Sequence, residues 1–178
     1  MKFKGEVLDD KVVVWDLEEA RALYGMGFYG KPLGIPKPKP EEFSAPLVLD
    51  LMEAYYLVLK GLLGLKLKGR RFGVKRLKKL CEERYFRFGI KYRVYGDLRD
   101  RGLVVTPGIK FGCDFAVYER GPGLEHAPYL VTVVGPEDWV TATWIVLTGR
   151  LATTVRKRFI LAVVGDEIDY ISFEWWRA

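Results

Sequence analysis

Three side chains in the second half of the sequence could together move protons and stabilise negative charge: Tyr118, His126 and Lys157. His126 is the only histidine in the chain. Tyrosine and histidine can serve as general base and general acid, and a lysine can stabilise an anionic transition state. Such a set could cleave RNA without a metal. One group would take the proton of the 2′-hydroxyl, another would protonate the leaving 5′-oxygen, and the cation would face the charged phosphorane.

Two strands joined by a loop are predicted around the first two of these residues. The runs Phe111–Tyr118 and Tyr129–Val134 are apolar and rich in β-branched and aromatic residues, and the segment between them is rich in glycine and proline. Tyr118 ends the first run, and His126 lies in the loop. Lys157 stands in the sequence VRKRF, immediately before an apolar run typical of a buried strand. The fold must therefore bring Lys157 back to the strand-loop-strand.

The order of predicted elements and the distribution of charge predict two domains. Residues 1–88 are expected to form an α+β N-terminal domain with a basic helix, and residues 89–178 an α/β C-terminal domain with a mixed sheet. The boundary is placed where helices give way to strands and the charge balance changes. In the C-terminal domain, a helix should be followed by the order strand, strand, strand, helix, strand, strand.

Several helix starts can be predicted from capping residues. Asp16, three residues before a glutamate, is typical of an N-cap. Ser44 is expected to cap a long helix, because the apolar residues that follow it have helical spacing. A further helix is predicted to begin at Glu137, with Trp139 and Leu147 facing inward.

Composition limits the classes of function. The chain has 178 residues, of which 49% are hydrophobic, which is enough for a substantial core. No apolar run approaches the roughly 18 residues of a membrane span, and the first residues have no apolar stretch behind their charges. We therefore expect a cytoplasmic protein without a membrane partner. Cys81 and Cys113 have no metal-ligand spacing and are expected to be ordinary buried thiols.

The charge of the chain favours an anionic partner. The net charge is +6 with a pI near 9.2, and the excess lies in the first half of the sequence. Much of it falls in one run, LKLKGRRFGVKRLKK, which contains no acidic residue. Two interpretations remain open: a solvated face, or a surface that contacts phosphates.

The strings around the three candidate residues resemble one family. The sequence FGCDFAVYERGPGLEHAPYLV, followed by VRKRFILAVV, is similar to the archaeal tRNA-splicing endonucleases. The pattern of that family places a tyrosine after a KFG-x-DF strand, a histidine before a YLV strand and a lysine in VRK, as here. The resemblance continues upstream through YGDLRDRGLVVTPGIKFG, EAYYLVLKG and LYGMGFYGKPLG, and so covers most of the chain.

This resemblance implies a metal-independent endoribonuclease without cofactors. Its substrate would be precursor tRNA, cut at bulge-helix-bulge junctions to leave a 2′,3′-cyclic phosphate and a 5′-hydroxyl. Tyr118 would be the general base, His126 the general acid and Lys157 the cation that stabilises the transition state. The family also holds a splayed bulge nucleotide with arginine, and Arg150 falls at the matching place. The C-terminal domain would be restriction-endonuclease-like.

The resemblance also implies a four-subunit assembly, either a homotetramer or a complex with a structural partner subunit. In the family an acidic loop of one subunit enters a basic cleft of another. The segment GDEID is at the corresponding place and offers Asp166, Glu167 and Asp169. Trp175, in the aromatic sequence near the C-terminus, is expected at a subunit contact.

Two alternatives remain open. The chain could be a metal-dependent nuclease on a similar core, with Asp114 as its first carboxylate, although the following strand lacks the usual acidic residue and lysine. It could also be a non-catalytic RNA-binding subunit that uses the basic run alone. The complete set of Tyr118, His126 and Lys157 favours the catalytic interpretation over both.

Overall fold

A computed structural model describes residues 2–35 and 42–173 of the protein. The chain divides into two compact units, Met1–Phe88 and Gly89–Ala178. Each unit combines helices with a mixed sheet, which confirms the predicted two-domain architecture of helices and mixed sheets. No helix within the described ranges is both long enough and apolar enough to cross a lipid bilayer.

The first unit is built on one layer of strands with helices packed against it. Its elements in chain order are β1 (Phe3–Leu8), β2 (Lys11–Val14), α1 (Leu17–Gly27), β3 (Lys31–Pro32), β4 (Leu47–Asp50), α2 (Leu51–Leu59), β5 (Leu63–Leu67), β6 (Arg70–Arg71) and α3 (Val74–Arg84). The strand order is β3-β4-β2-β1-β5-β6, and β1 and β5 are parallel. The predicted N-cap of α1 is confirmed, because the Asp16 carboxylate accepts from the backbone N–H groups of Glu18 and Glu19.

The prediction that a helix begins at Ser44 is wrong for the first residues of that segment. Residues Leu47–Asp50 form strand β4 and pair with β2, and the helix begins only after Asp50. The Asp50 carboxylate accepts from the N–H of Met52 at 2.8 Å, and the Glu53 carboxylate accepts from the N–H of Asp50 at 2.9 Å. This capping box fixes the start of α2. Pairing with β2 buries alternate residues of β4, and that contact outweighs their helical spacing.

The second unit has the predicted order of elements. They are α4 (Phe88–Asp100), β7 (Val104–Pro107), a 3₁₀ turn (Ile109–Phe111), β8 (Phe115–Tyr118), β9 (Tyr129–Val134), α5 (Ala142–Thr154), β10 (Arg158–Val164) and β11 (Ile168–Phe173). The sheet order is β11-β10-β9-β8-β7. Strands β9 and β10 are parallel and are connected by α5, whereas their other neighbours are antiparallel.

Two boundaries of the second unit differ from the prediction. Strand β8 is shorter than Phe111–Tyr118, because a 3₁₀ turn and a bend occupy its first residues. Helix α5 begins after Thr141, whose hydroxyl accepts from the N–H of Trp144, and not at Glu137. Trp139 precedes the helix and is 98% exposed, and Leu147 is 61% exposed, so neither faces inward as predicted.

Candidate active site

The sheet of the second unit places Tyr118 and Lys157 at the same end and on the same face. Val117 of β8 and Arg158 of β10 both pair with Tyr129, the first residue of β9. One step further along the sheet, Tyr118 and Lys157 therefore lie on either side of Pro128. The distance between the α carbons of Tyr118 and Lys157 is two strand spacings, which is roughly 10 Å.

Side chains alternate between the two faces of a strand, and this alternation shows on which face of the sheet Tyr118 and Lys157 lie. Ala116, Leu130 and Phe159 belong to the buried cluster of the second unit, and Ala152 of α5 belongs to it as well. Tyr118 lies two residues after Ala116 and packs against this cluster. Because side chains two residues apart share a face of a strand, Lys157 lies on the same face as Phe159. The tyrosine and the lysine thus border the core beneath α5.

Lys157 is tied directly to the loop that carries His126. Its ammonium donates to the carbonyl oxygen of Ala127 at 2.6 Å, and its Nζ lies 5.2 Å from the centroid of the Phe111 ring. Its backbone N–H also donates to the carbonyl oxygen of Ala152, at 2.8 Å. Burial of the half-exposed ammonium lowers the pKa of Lys157 below its ordinary value. The cation is therefore bonded to the residue that follows His126 in the chain, although 30 residues separate Lys157 from Ala127.

His126 is exposed at the end of the loop between β8 and β9. Within the described residues its imidazole has no hydrogen-bond partner, so both ring nitrogens are open to solvent or to a ligand. The preceding residue, Glu125, closes the loop. Its carboxylate accepts from the N–H of Arg120 at 2.6 Å, and this bond lowers the pKa of Glu125. A second pair of loop contacts runs from the N–H groups of Leu124 and Glu125 to the carbonyl oxygen of Gly121.

A contact on the other face of the sheet holds the start of the same loop. The Tyr129 hydroxyl donates to the Glu119 carboxylate at 2.6 Å, and this hydrogen bond raises the pKa of Tyr129. Glu119 directly follows Tyr118. The loop is thus fixed next to both candidate proton-transfer residues by Glu119 and Glu125. Sequence reasoning missed both glutamates, since neither stands in a pattern that sets it apart from other surface carboxylates.

Arg150 lies near the same end of the unit as Lys157. It is exposed on α5, one turn before the helix ends at Thr154, which corresponds to about 6 Å along the helix axis. No ion pair to its guanidinium exists among the described residues. A planar, unpaired guanidinium is free to stack on a nucleobase. Its position is therefore compatible with the predicted RNA-binding role.

The acidic loop is not brought to this site within one chain. Asp166 and Glu167 lie in the turn after β10, and Asp169 lies in β11. All three are exposed. Because Lys157 precedes β10, the length of that strand separates the two places by roughly 20 Å. Trp175, the fourth predicted interface residue, lies outside the described residues.

Asp114, the carboxylate of the metal-dependent alternative, has structural partners on both oxygens. Oδ1 lies 2.7 Å from the ammonium of Lys91 in α4, and Oδ2 accepts from the N–H of Val133 at 2.8 Å. The side chain therefore connects a helix with a strand of the second unit. In residues 2–35 and 42–173, no group of three or more His, Cys, Asp or Glu residues is placed to share a metal ion.

The two cysteines are buried thiols, as predicted. Burial raises the pKa of Cys81 to about 12 and that of Cys113 to about 11. Cys113 makes contacts with the carbonyl oxygens of Gly108 and Phe115 and belongs to the cluster beneath the candidate site. Both thiols are therefore part of the packing, and neither has the lowered pKa of a reactive thiolate.

Comparison with known proteins agrees with the geometry of both units. Residues 88–171 match the model of the tRNA intron endonuclease catalytic C-terminal domain, and residues 3–78 match that of the tRNA intron endonuclease N-terminal domain. The chain is 49% identical to the tRNA-splicing endonuclease of Hyperthermus butylicus, with 93% of each chain covered. It is 45% identical to that of Sulfurisphaera tokodaii, covering 96% of this chain and 97% of the relative. The chain therefore belongs to the tRNA intron endonuclease family and carries the catalytic domain of that family.

Proposed function

We propose that the protein excises introns from precursor tRNA by metal-independent cleavage at bulge-helix-bulge junctions. The observation that carries this proposal is the hydrogen bond from the Lys157 ammonium to the Ala127 carbonyl, next to His126. Together with the register of Tyr118 across Pro128, this bond supports the proposal that Tyr118, His126 and Lys157 act together at one end of the sheet. The membership of the family supports precursor tRNA as the substrate.

The three side chains have separate roles in the proposed reaction. Tyr118 removes the proton of the 2′-hydroxyl, and this oxygen attacks the adjacent phosphorus. As the P–O5′ bond breaks, His126 gives a proton to the departing 5′-oxygen. Lys157 stabilises the negative charge of the phosphorane between these steps. The products are a 2′,3′-cyclic phosphate and a 5′-hydroxyl, and no water is consumed.

Two further features complete the proposal. Arg150 stacks on a base that is splayed out of the bulge, which positions the scissile phosphate without reading sequence. The second unit has a restriction-endonuclease-like fold, a proposal supported by its mixed sheet with the parallel pair β9–β10. Under this proposal the shape of the RNA junction determines where the chain cuts.

The purified chain is expected to cut an intron-containing precursor tRNA transcript in the presence of excess EDTA. The measurement is gel analysis of the products, with enzymatic tests for the 2′,3′-cyclic phosphate and the 5′-hydroxyl. A transcript with a fully paired junction of the same length is the control and should stay intact. Loss of cleavage in EDTA and recovery with Mg²⁺ would instead identify a metal-dependent nuclease. Binding without cleavage by the folded chain would point to a structural subunit or a missing partner.

For assembly we propose four subunits that are linked by the acidic loop of residues 165–169. The loop has a fixed shape in the second unit, because Arg93 of α4 donates to the carbonyl oxygens of Gly165 and Asp166, each at 2.6 Å. These contacts leave the Asp166 and Glu167 side chains exposed. A rigid, outward-facing pair of carboxylates is suited to enter a basic cleft on another subunit.

Replacing Arg93 with alanine is expected to weaken this assembly at least about tenfold, since two charge-assisted hydrogen bonds that shape the loop are lost. Sedimentation equilibrium over a range of protein concentrations would measure the change. Arg93→Lys keeps the charge but cannot reach two carbonyls in a fork, so it should recover only part of the loss. An unchanged mass distribution for Arg93→Ala at all concentrations would contradict the role of the loop.

A further inference from the structure

A group of exposed cations that lie close together in the sequence of the first unit is not used by the proposed chemistry. We name it the basic patch, and its members are Lys66, Lys68, Arg70, Arg71, Lys75 and Arg76. The patch covers the hairpin of β5 and β6 and the first turn of α3. Within the described part of the chain none of the six forms an ion pair. The site residues Tyr118, His126 and Lys157 all belong to the other unit.

The positions of these charges destabilise the hairpin. Lys66 and Arg71 are directly opposite one another in the antiparallel pair, where like charges are unfavourable. Glu6 pairs with Lys66 from the other side, but its carboxylate accepts from the Trp15 indole at 2.9 Å. At the tip, Lys68 has a φ of 48°, a left-handed conformation in which asparagine or aspartate is the usual choice. Folding alone does not explain lysine at this position.

Helix α3 shows the same conflict in its first turn. Lys75 and Arg76 stand there with no acidic residue, although the helix dipole favours acidic side chains at this end. Helices α1 and α2 follow the rule, with glutamates in their first turns. The second half of α3 differs in one respect, because its lysines have acidic partners. Its lysines Lys78 and Lys79 pair with the glutamates four residues later, at 3.5 Å and 3.9 Å.

Helix α3 therefore contains two kinds of cationic residue. One kind is paired and supports the helix, and the other is unpaired and lies next to further cations. Local rules that are broken repeatedly, and always with the same sign of charge, mark a functional surface rather than a solvated face. The unpaired cations lie on neighbouring strands and on a helix turn, an arrangement that suits a partner with several negative charges close together.

We propose that the basic patch binds the phosphate backbone of the precursor tRNA. This inference rests on the proposed function for its choice of RNA as the partner. Lysine and arginine side chains on an exposed hairpin reach phosphates without reading base edges, so the contact adds affinity without sequence preference. The patch then supplies part of the binding energy for substrates whose introns differ in sequence.

Two double variants of α3 test this proposal. Lys75→Gln/Arg76→Gln removes unpaired cations, and Lys78→Gln/Lys79→Gln removes the same charge from paired ones. Both are made in a His126→Ala background so that the RNA stays intact. Binding of a precursor tRNA transcript is measured in EDTA from 50 to 400 mM KCl, and thermal unfolding checks the fold. The variant without Lys75 and Arg76 should bind at least about tenfold more weakly at 100 mM salt. Its slope of log Kd against log salt should fall by about two, and the matched control should change affinity by less than about twofold.

Other outcomes would overturn the inference. If both variants lower the affinity equally, the effect comes from net charge and the patch has no special role. If neither changes RNA binding but one alters the mass of the assembly, the patch contacts another protein. Failure of the proposed cleavage is separable, since binding is measured without turnover. If the double variants bind as expected but the chain with His126 intact never cuts the same transcript, the patch is supported and the nuclease mechanism is contradicted. If the chain with His126 intact cuts normally but the variant without Lys75 and Arg76 binds RNA unchanged, the mechanism is supported and the patch is contradicted.

Discussion

Replacing His126 with alanine is expected to slow cleavage of precursor tRNA by about 10²–10⁴-fold, the usual range for loss of a general acid. The effect should fall on the rate at saturating enzyme rather than on RNA affinity. The imidazole has no hydrogen bond within the described residues, so its removal leaves the fold intact. Single-turnover kinetics would measure the rate, and the midpoint of thermal unfolding should stay unchanged. Leu124→Ala, in the same exposed loop, is a matched control that should retain activity.

A chemical test distinguishes a general acid from a residue that only binds RNA. If the 5′-bridging oxygen at the cleavage site is replaced by sulfur, the leaving group departs as a thiolate and needs no proton. The His126→Ala variant should then cut this substrate at nearly the rate of the unsubstituted chain. Equal defects on the oxygen and sulfur substrates would show that His126 does not protonate the leaving group.

The order of elements in the second unit could be predicted because its strands are strongly apolar. Strand Tyr129–Val134 has the predicted bounds, and the run before Val164 is a buried strand. These segments have β-branched residues on both faces and end at glycine or proline, so local composition and burial agree. The prediction fails where they disagree. Residues Leu47–Asp50 have helical spacing but gain more from pairing with β2.

The helix start at Glu137 was wrong for a different reason. Asp138 serves in a turn, where its carboxylate accepts from the N–H of Gly135 at 2.6 Å, and Thr141 takes the cap position instead. An acidic residue before an apolar run is compatible with both arrangements. As a result Trp139, expected in the core, is exposed. Choosing between two nearby caps requires the packing of the whole unit.

For the candidate site, the sequence could predict the residue types but not the contacts between them. Residue chemistry singled out Tyr118, His126 and Lys157 and the resemblance to the family assigned their roles, but spacing in sequence could not show that Lys157 bonds to the Ala127 carbonyl. That contact depends on the parallel pairing of β9 with β10 across α5, a connection between residues distant in sequence. The loop contacts of Glu119 and Glu125 were missed for the same reason. Their function is visible only when the loop is folded.

Replacing Lys157 with alanine is expected to reduce cleavage about 10²–10³-fold, comparable to the loss of one preorganised donor to a developing charge. An ammonium group has three donors, and one of them is used by the Ala127 carbonyl. Two remain for the oxygens of the phosphorane. Lys157→Arg keeps a positive charge and should recover part of the rate, whereas Lys157→Gln should not. Single-turnover rates with a precursor tRNA transcript would compare the three variants, with RNA binding measured in parallel.

The pH profile gives this prediction a sharper test. Burial lowers the pKa of Lys157, which means that the proton is lost at a lower pH than from an exposed lysine. As the pH rises through this pKa, the cation disappears and cleavage should fall, with an alkaline limb below the ordinary value of 10.5. Arginine stays charged throughout this range, so the Lys157→Arg variant should lack the limb after the rate of uncatalysed RNA hydrolysis is subtracted. If both proteins lose activity at the same alkaline pH, another group controls the alkaline limb, and deprotonation of Lys157 does not cause it.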